Sequence, residues 1–309
     1  MSSTHEIKRR VKAVTNIGQI TKAMEMVSAN KMRRSQTNAL LSRPYAVEIL
    51  RILGELSTRT SYTPDIMKSR TINKTAVVLV ASDRGLAGSF NTNIFRLFEK
   101  KIEKIGSETG EMIFIGVGKK AEEYLTRRNS PPARVFKNFG DCATTEEVKP
   151  LSDLLVEGFL KKDWDQVIVI FTQFRTTLRQ EVVLRNILPI NALETFQAVR
   201  EIVPEYGRFS GLSETFSSEF AKNFEYLIEP DPKRVLDKLA PQMVKIALYD
   251  FILEANASEH SARMVAMKNA SESADELKHN FTIEYNKLRQ AGITREVSEI
   301  ASGSESLKN

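Results

Sequence analysis

Two glycine-bearing turns in this chain have the makings of a phosphate cradle. The first, Asp83-Arg84-Gly85-Leu86-Ala87-Gly88-Ser89, follows an apolar run and precedes a helical stretch; the second is Gly116-Val117-Gly118-Lys119-Lys120. Backbone N–H groups at a strand-to-helix turn can hold an anion, and dinucleotide folds use that geometry. Neither turn has the G-x-G-x-x-G order, and neither has the lysine spacing of a P-loop. The three histidines, His5, His260 and His279, are too far apart in sequence to suggest a metal site. Cys142 is the single cysteine, which excludes an internal disulfide and suits a reducing compartment. No nucleophile, base and oxyanion donor come together in any motif. The residues therefore predict a chain with no catalytic residue, no cofactor and no metal of its own.

The elements around these turns alternate. Thr75–Ser82, Met112–Val117, Val135–Phe139, Gln166–Thr172 and Glu181–Leu188 read as strands. Helical stretches near Asn91–Ile105, Lys119–Arg128 and Glu146–Lys161 fall between them. This alternation predicts a Rossmann-like α/β domain with a central, partly parallel sheet, set at residues 71–230. Asn191–Glu229 is less regular, with Pro204, Gly207 and Gly211.

Both termini read as long helices. From Leu239 a seven-residue column runs Leu239, Ile246, Leu253, His260, Met267, Ala274, Phe281, Leu288, with Leu236, Met243 and Met264 in a companion column. A sustained heptad winds its stripe around a partner helix. Between Lys233 and Ser302 the breakers are Pro241 and Gly292, so the rod could approach about 100 Å and must project. His260 sits on the ladder as a polar residue that sets register. At the other end Ile7, Val11, Val14, Ile17, Ile20, Met24 and Val27 recur in steps of three and four, after a Ser3–Glu6 pair with capping-box spacing. Paired by their stripes, residues 1–60 and 231–309 would form an antiparallel coiled coil.

The chain holds 45 basic and 39 acidic residues, a net +6. The excess is local. Lys8, Arg9, Arg10, Lys12, Lys22, Lys31, Arg33 and Arg34 face only Glu6 and Glu25 within the first 34 residues. Such a face suits nucleic acid, an anionic membrane or an acidic protein surface. No apolar run nears the length of a transmembrane helix, and the first residues lack a signal-peptide core.

Three separated motifs carry a family resemblance. The run Ile20-Thr21-Lys22-Ala23-Met24-Glu25-Met26-Val27-Ser28-Ala29-Asn30-Lys31-Met32-Arg33-Arg34 resembles the N-terminal signature of the gamma subunits of F-type ATP synthases. Ser82-Asp83-Arg84-Gly85-Leu86-Ala87-Gly88-Ser89-Phe90-Asn91 is similar to the central motif of that family. So is the C-terminal run Ala257–Ala270, continued by Tyr285–Ile300.

The resemblance implies a non-catalytic rotor shaft that couples proton-driven rotation of a c ring to ATP synthesis. Its partners would be the alpha and beta subunits of the hexameric head, the epsilon and delta subunits and the c-subunit ring. It would bind no nucleic acid and meet the membrane only through that ring, on the cytoplasmic face of a bacterial inner membrane. Lys22, Met24 and Lys31 match the region facing the torque-transmitting loops of beta. Arg263, Arg289, Gln290, Thr294, Glu296 and Glu299 match contacts with the head. Tyr226 and Glu229 match the segment near the ring. Ala87 stands where many members have cysteine, and one cysteine cannot form the dithiol switch of the chloroplast branch. Pro241 is expected to kink or restart the C-terminal helix. Two other readings stay open on the residues alone: a basic coiled-coil adaptor for nucleic acid or membrane, and a small nucleotide-dependent enzyme using Gly85–Ser89.

Overall fold

A computed structural model describes residues 4–140, 143–191, 229 and 231–306. Helix α1 spans Thr4–Arg59. After a short 3₁₀ turn at Asp65–Met67, strand β1 (Lys74–Val80) leads through the first glycine turn into α2 (Phe90–Thr109). Then follow β2 (Glu111–Val117), α3 (Lys119–Arg127), β3 (Arg134–Phe136), α4 (Thr145–Lys161), β4 (Gln166–Phe174) and β5 (Gln180–Leu188). The last element, α5, spans Pro232–Ser306.

The strands form one sheet in the order β3-β2-β1-β4-β5. The first four are parallel, and β5 returns antiparallel to β4 through a tight hairpin. The apolar runs are strands buried on both faces, which is why they read as continuous rather than alternating. Val77, Leu79, Ile168 and Ile170 point to one side, where Phe90, Ile94 and Phe98 of α2 and Leu125 of α3 cover them. Ala76, Val78, Val167, Val169 and Phe171 point to the other, into a larger core with α4, α1 and α5. Helix α4 opens with a capping box, Thr144 and Glu147 each accepting from the other's backbone N–H. Gly158 leaves space for the Trp164 ring; a Cβ there would lie 2.1 Å from it.

The described chain packs as two compact units. One holds Met1–Val27 with Met264–Asn309, the other Ser28–Arg263. In the first unit Gly18 lies against Ala274, whose Cβ would be 3.5 Å from a glycine Cβ. In the second, Ser42 Oγ donates to Asp250 Oδ1 at 2.6 Å, and Ala46 and Ile49 share a small apolar gap with Met243, Ile246 and Ala247. In that unit, residue number rises along α1 as it falls along α5, so the two helices run antiparallel.

Two details depart from the sequence reading. The α1 stripe holds at Ile7, Val11, Val14 and Met24, which are buried or half-buried, but not at its other three positions. Ile17, Ile20 and Val27 are 52%, 59% and 54% exposed. The buried positions instead keep a strict heptad: Ile7, Ser28, Ser35, Ile49 and Leu56 in one column, Met32, Ala39 and Ala46 in the other. Small residues (Ser28, Ser35, Ala39, Ala46) share these columns with large ones (Ile7, Met32, Ile49, Leu56). Pro241 neither ends nor restarts α5, whose helical span runs through it.

Helix α5 also changes character along its length. From Ile246 to Ser258 every residue but Tyr249 is buried, on all sides of the helix. From Ala291 to Ala301 the side chains are exposed without exception. A helix buried all round belongs to a core, and one exposed all round needs partners or solvent.

Candidate functional site

The carboxyl end of the parallel strands is where an open α/β sheet would seat a ligand, and here it is filled by the chain itself. Asp83 begins the first glycine turn. Its Oδ1 accepts from the backbone N–H of Lys119 at 2.9 Å and its Oδ2 from that of Asn138 at 2.8 Å. The N–H of Lys120 donates to Ser82 O at 3.0 Å. The amides of Lys119 and Lys120 are the first of α3, the groups a phosphate would need. Ser82 Oγ in turn donates to Arg84 O, and Asn91 fastens both Ser82 N and Ser82 Oγ. Gly118 has φ +90, and a Cβ on it would fall 2.0 Å from Ala81 O. Its glycine serves backbone packing between β1 and β2, with no ligand required.

Arg263 closes the same turn from α5. Its Nε and Nη2 donate to Gly85 O at 3.3 and 3.2 Å, and Nη2 also reaches Arg84 O at 3.3 Å. Nη2 pairs with Glu259 Oε1 at 2.6 Å. Nη1 lies 3.1 Å from His260 Nδ1. A guanidinium can only donate, so Nδ1 accepts and the imidazole carries its proton on Nε2. Burial pushes the Glu259 carboxyl above the usual carboxylate range, with Arg263 pulling against it. Among the described residues no group of three His, Cys, Asp or Glu side chains could hold a metal ion.

With its anion-binding amides already paired, the isolated chain is expected to show no measurable ATP affinity. Isothermal titration is the check; micromolar binding would restore the enzyme reading.

The remaining predicted residues lie on the terminal helices. Lys22 is exposed and pairs with Glu25 at 2.9 Å, and Met24 beside it is half-buried. Lys31 is half-buried, near enough to Glu259 to lower its carboxyl pKa in part. Arg289, Gln290, Thr294, Glu296 and Glu299 are exposed on α5, Glu299 pairing with Arg295 at 2.9 Å. Arg263, by contrast, is buried and bonded within the chain. Glu229 is exposed, whereas Tyr226 and Cys142 lie outside the described residues, as does most of Asn191–Glu229. Sequence reasoning missed Asp83 as a stitch between three loops. Its place at the end of a buried strand, beside a glycine turn, was the available signal.

A family model described as ATP synthase matches residues 3–307. The ATP synthase gamma chain of Geotalea daltonii is 36% identical over 312 residues, covering all of both chains. That of Roseiflexus sp. is 38% identical over 310 residues, covering 99% of each. The chain belongs to the ATP synthase gamma-chain family. Solved structures share the fold. A chain of the Euglena gracilis mitochondrial ATP synthase rotor superposes with a TM-score of 0.59 at 19% identity, covering 94% of this chain and 98% of that one. A chain from the same organism's assembly of OSCP, F1 and c-ring gives 0.62 at 18% identity, covering 98% and 94%.

Proposed function

We propose that this chain is the central rotor shaft of an F-type ATP synthase and performs no bond chemistry itself. Full-length similarity to gamma chains carries the reading. The exposed apolar side chains of the terminal helices support it: Ile17, Ile20, Met26 and Val27 on α1, and Ile293, Val297 and Ile300 on α5. Large apolar side chains left exposed along a helix suit a surface that partners cover. The covering partners in this reading are the alpha and beta subunits. Lys22, Met24 and Lys31 face the acidic torque loops of beta, while Arg289, Gln290, Thr294, Glu296 and Glu299 contact the head. Epsilon, delta and the c ring complete the complex, with Tyr226 and Glu229 near the ring.

Function divides the chain at residues 1–60, 71–230 and 231–309: two shaft helices and the domain that turns them. An asymmetric shaft meets the three beta subunits differently at each angle. Differential contact is what shifts each nucleotide site among its conformations. Among the described residues no helix is long and apolar enough to cross a membrane. In this reading the chain is peripheral, held on the cytoplasmic face of a bacterial inner membrane through the c ring, and proton flow drives it. A nucleic-acid adaptor is less suited to the N-terminal cations, since Arg10 already pairs with Glu6 and Lys22 with Glu25.

Co-expression with alpha and beta subunits tests the assignment. Soluble yield and thermal midpoint should both rise in a co-purifying complex. Equal values with and without those subunits would contradict a threaded shaft.

A further inference from the structure

Helix α5 meets the sheet domain through two kinds of contact. Most is apolar: Phe251 stacks on Phe171 with centroids 4.3 Å apart, and Leu253 and Ala255 are buried in the same core. Apolar burial is non-directional, so it holds a helix in place without fixing its angle about its own axis. The other kind is directed, and includes a set of hydrogen bonds from residues 256–263. Asn256 Nδ2 donates to Gly140 O at 2.8 Å. Ser258 Oγ donates to Thr172 O at 3.2 Å, and Ser261 Oγ to Thr177 O at 2.8 Å. Arg263 holds Gly85 O and Arg84 O. Each of these four residues donates to a backbone carbonyl of a different piece of the sheet's carboxyl end: beyond β3, in β4, in the β4–β5 hairpin and in the turn after β1; Ser261 Oγ also accepts from Gln180 Nε2 at 3.4 Å.

The directions matter more than the number. At 3.6 residues per turn, Asn256 and Arg263 leave the helix on one side, and Ser258 and Ser261 leave it on roughly the opposite side. The first pair reaches the β1 and β3 side of the sheet, the second the β4 and β5 side. Directed bonds on opposite sides of an axis resist rotation about it as a couple. The carbonyls are themselves fixed. Thr172 O is in a β-ladder strand, and the Arg84–Gly85 turn is tied by Asp83 to Lys119 N and Asn138 N.

We propose that Asn256, Ser258, Ser261 and Arg263 form a torsional key that locks the α/β domain to the shaft helix, so that torque applied to the domain reaches the shaft without slip. The proposal rests on the rotor reading and assigns these residues as positioning residues within it.

The test uses the assembled complex of this chain with alpha and beta subunits, the head fixed to a surface and a gold rod coupled to the α2 face of the domain. Angular variance of the rod during pauses reports torsional stiffness. The triple variant Asn256→Ala/Ser258→Ala/Ser261→Ala should roughly double that variance while the unloaded ATP hydrolysis rate stays at the wild-type value. Arg263→Lys, which keeps the charge and loses the fork, should raise it by a smaller factor. Leu253→Ala is the control, because it removes buried apolar surface from the same helix and spares all four residues. It should lower the thermal midpoint and leave the variance unchanged. Unchanged variance in the triple variant, or an equal rise in Leu253→Ala, would overturn the key. Absence of ATP-driven rotation in the wild-type complex would instead overturn the rotor reading.

Discussion

Gly118→Ala is expected to be among the most damaging single substitutions in the sheet domain. The new Cβ would sit 2.0 Å from Ala81 O and 2.8 Å from Ala81 C, at a φ of +90 that side chains rarely adopt. Neither neighbour can move cheaply. Ala81 N donates to Val117 O at 2.9 Å and Gly118 N to Phe136 O at 2.8 Å, so both lie at the end of the parallel ladder. A backbone conformation closed to the new residue and a backbone clash act together, and about 4 kcal/mol or more is the expected loss. Against a total stability of roughly 5–15 kcal/mol, that empties most of the folded population of a marginal chain. Gly85→Ala is the matched control, since nothing lies within 4 Å of its Cβ, and it should stay within about 0.5 kcal/mol of wild type. Urea denaturation of the two variants is the check. Similar midpoints would mean that the turn is far softer than its contacts imply.

Met24→Lys is expected to uncouple the motor while leaving it assembled. Met24 lies half-buried on α1, one residue from Glu25, which already neutralises Lys22. In the rotor reading this helix passes the acidic torque loops of beta, and a further long cation adds attraction at one rotary angle. Exposed ion pairs contribute about 0–1 kcal/mol, and partly buried ones reach several. About 1.4 kcal/mol at one dwell changes its population roughly tenfold. Hydrolysis should be largely retained while proton pumping falls in membrane vesicles. An unchanged ratio of pumping to hydrolysis would make Met24 an ordinary packing residue.

Much of the fold was legible because its strongest signals are local. Thr75–Ser82 and Gln166–Thr172 are short, β-branched and apolar throughout, as strands buried on both faces must be. The long helices announced themselves by the rarity of breakers between Thr4 and Arg59 and after Lys233. What stayed hidden depends on distant partners. The three-and-four spacing of Ile7, Val11, Val14, Ile17, Ile20, Met24 and Val27 named a stripe of which Ile7, Val11, Val14 and Met24 are buried or half-buried, while Ile17, Ile20 and Val27 are exposed; further along α1 the buried positions include Ser28, Ser35, Ala39 and Ala46, which hydrophobicity does not mark. The heptad of α5 marked a stripe, while between Ile246 and Ser258 the helix is enclosed on all sides. Nothing near Ser258 or Arg263 in sequence shows that Thr172 O and Gly85 O wait opposite them. The glycine turns posed the reverse problem: their composition hinted at a phosphate although neither carries a phosphate-binding motif, and the position of Asp83 shows how the amides there are taken.

Rotation itself is the direct test of the central claim. The chain should be assembled with alpha and beta subunits on a surface, with a probe on its sheet domain, and observed as ATP is added. The account predicts unidirectional rotation of the probe that requires ATP and stops when it is removed. A probe that stays fixed relative to the alpha and beta subunits while the complex hydrolyses ATP would contradict it.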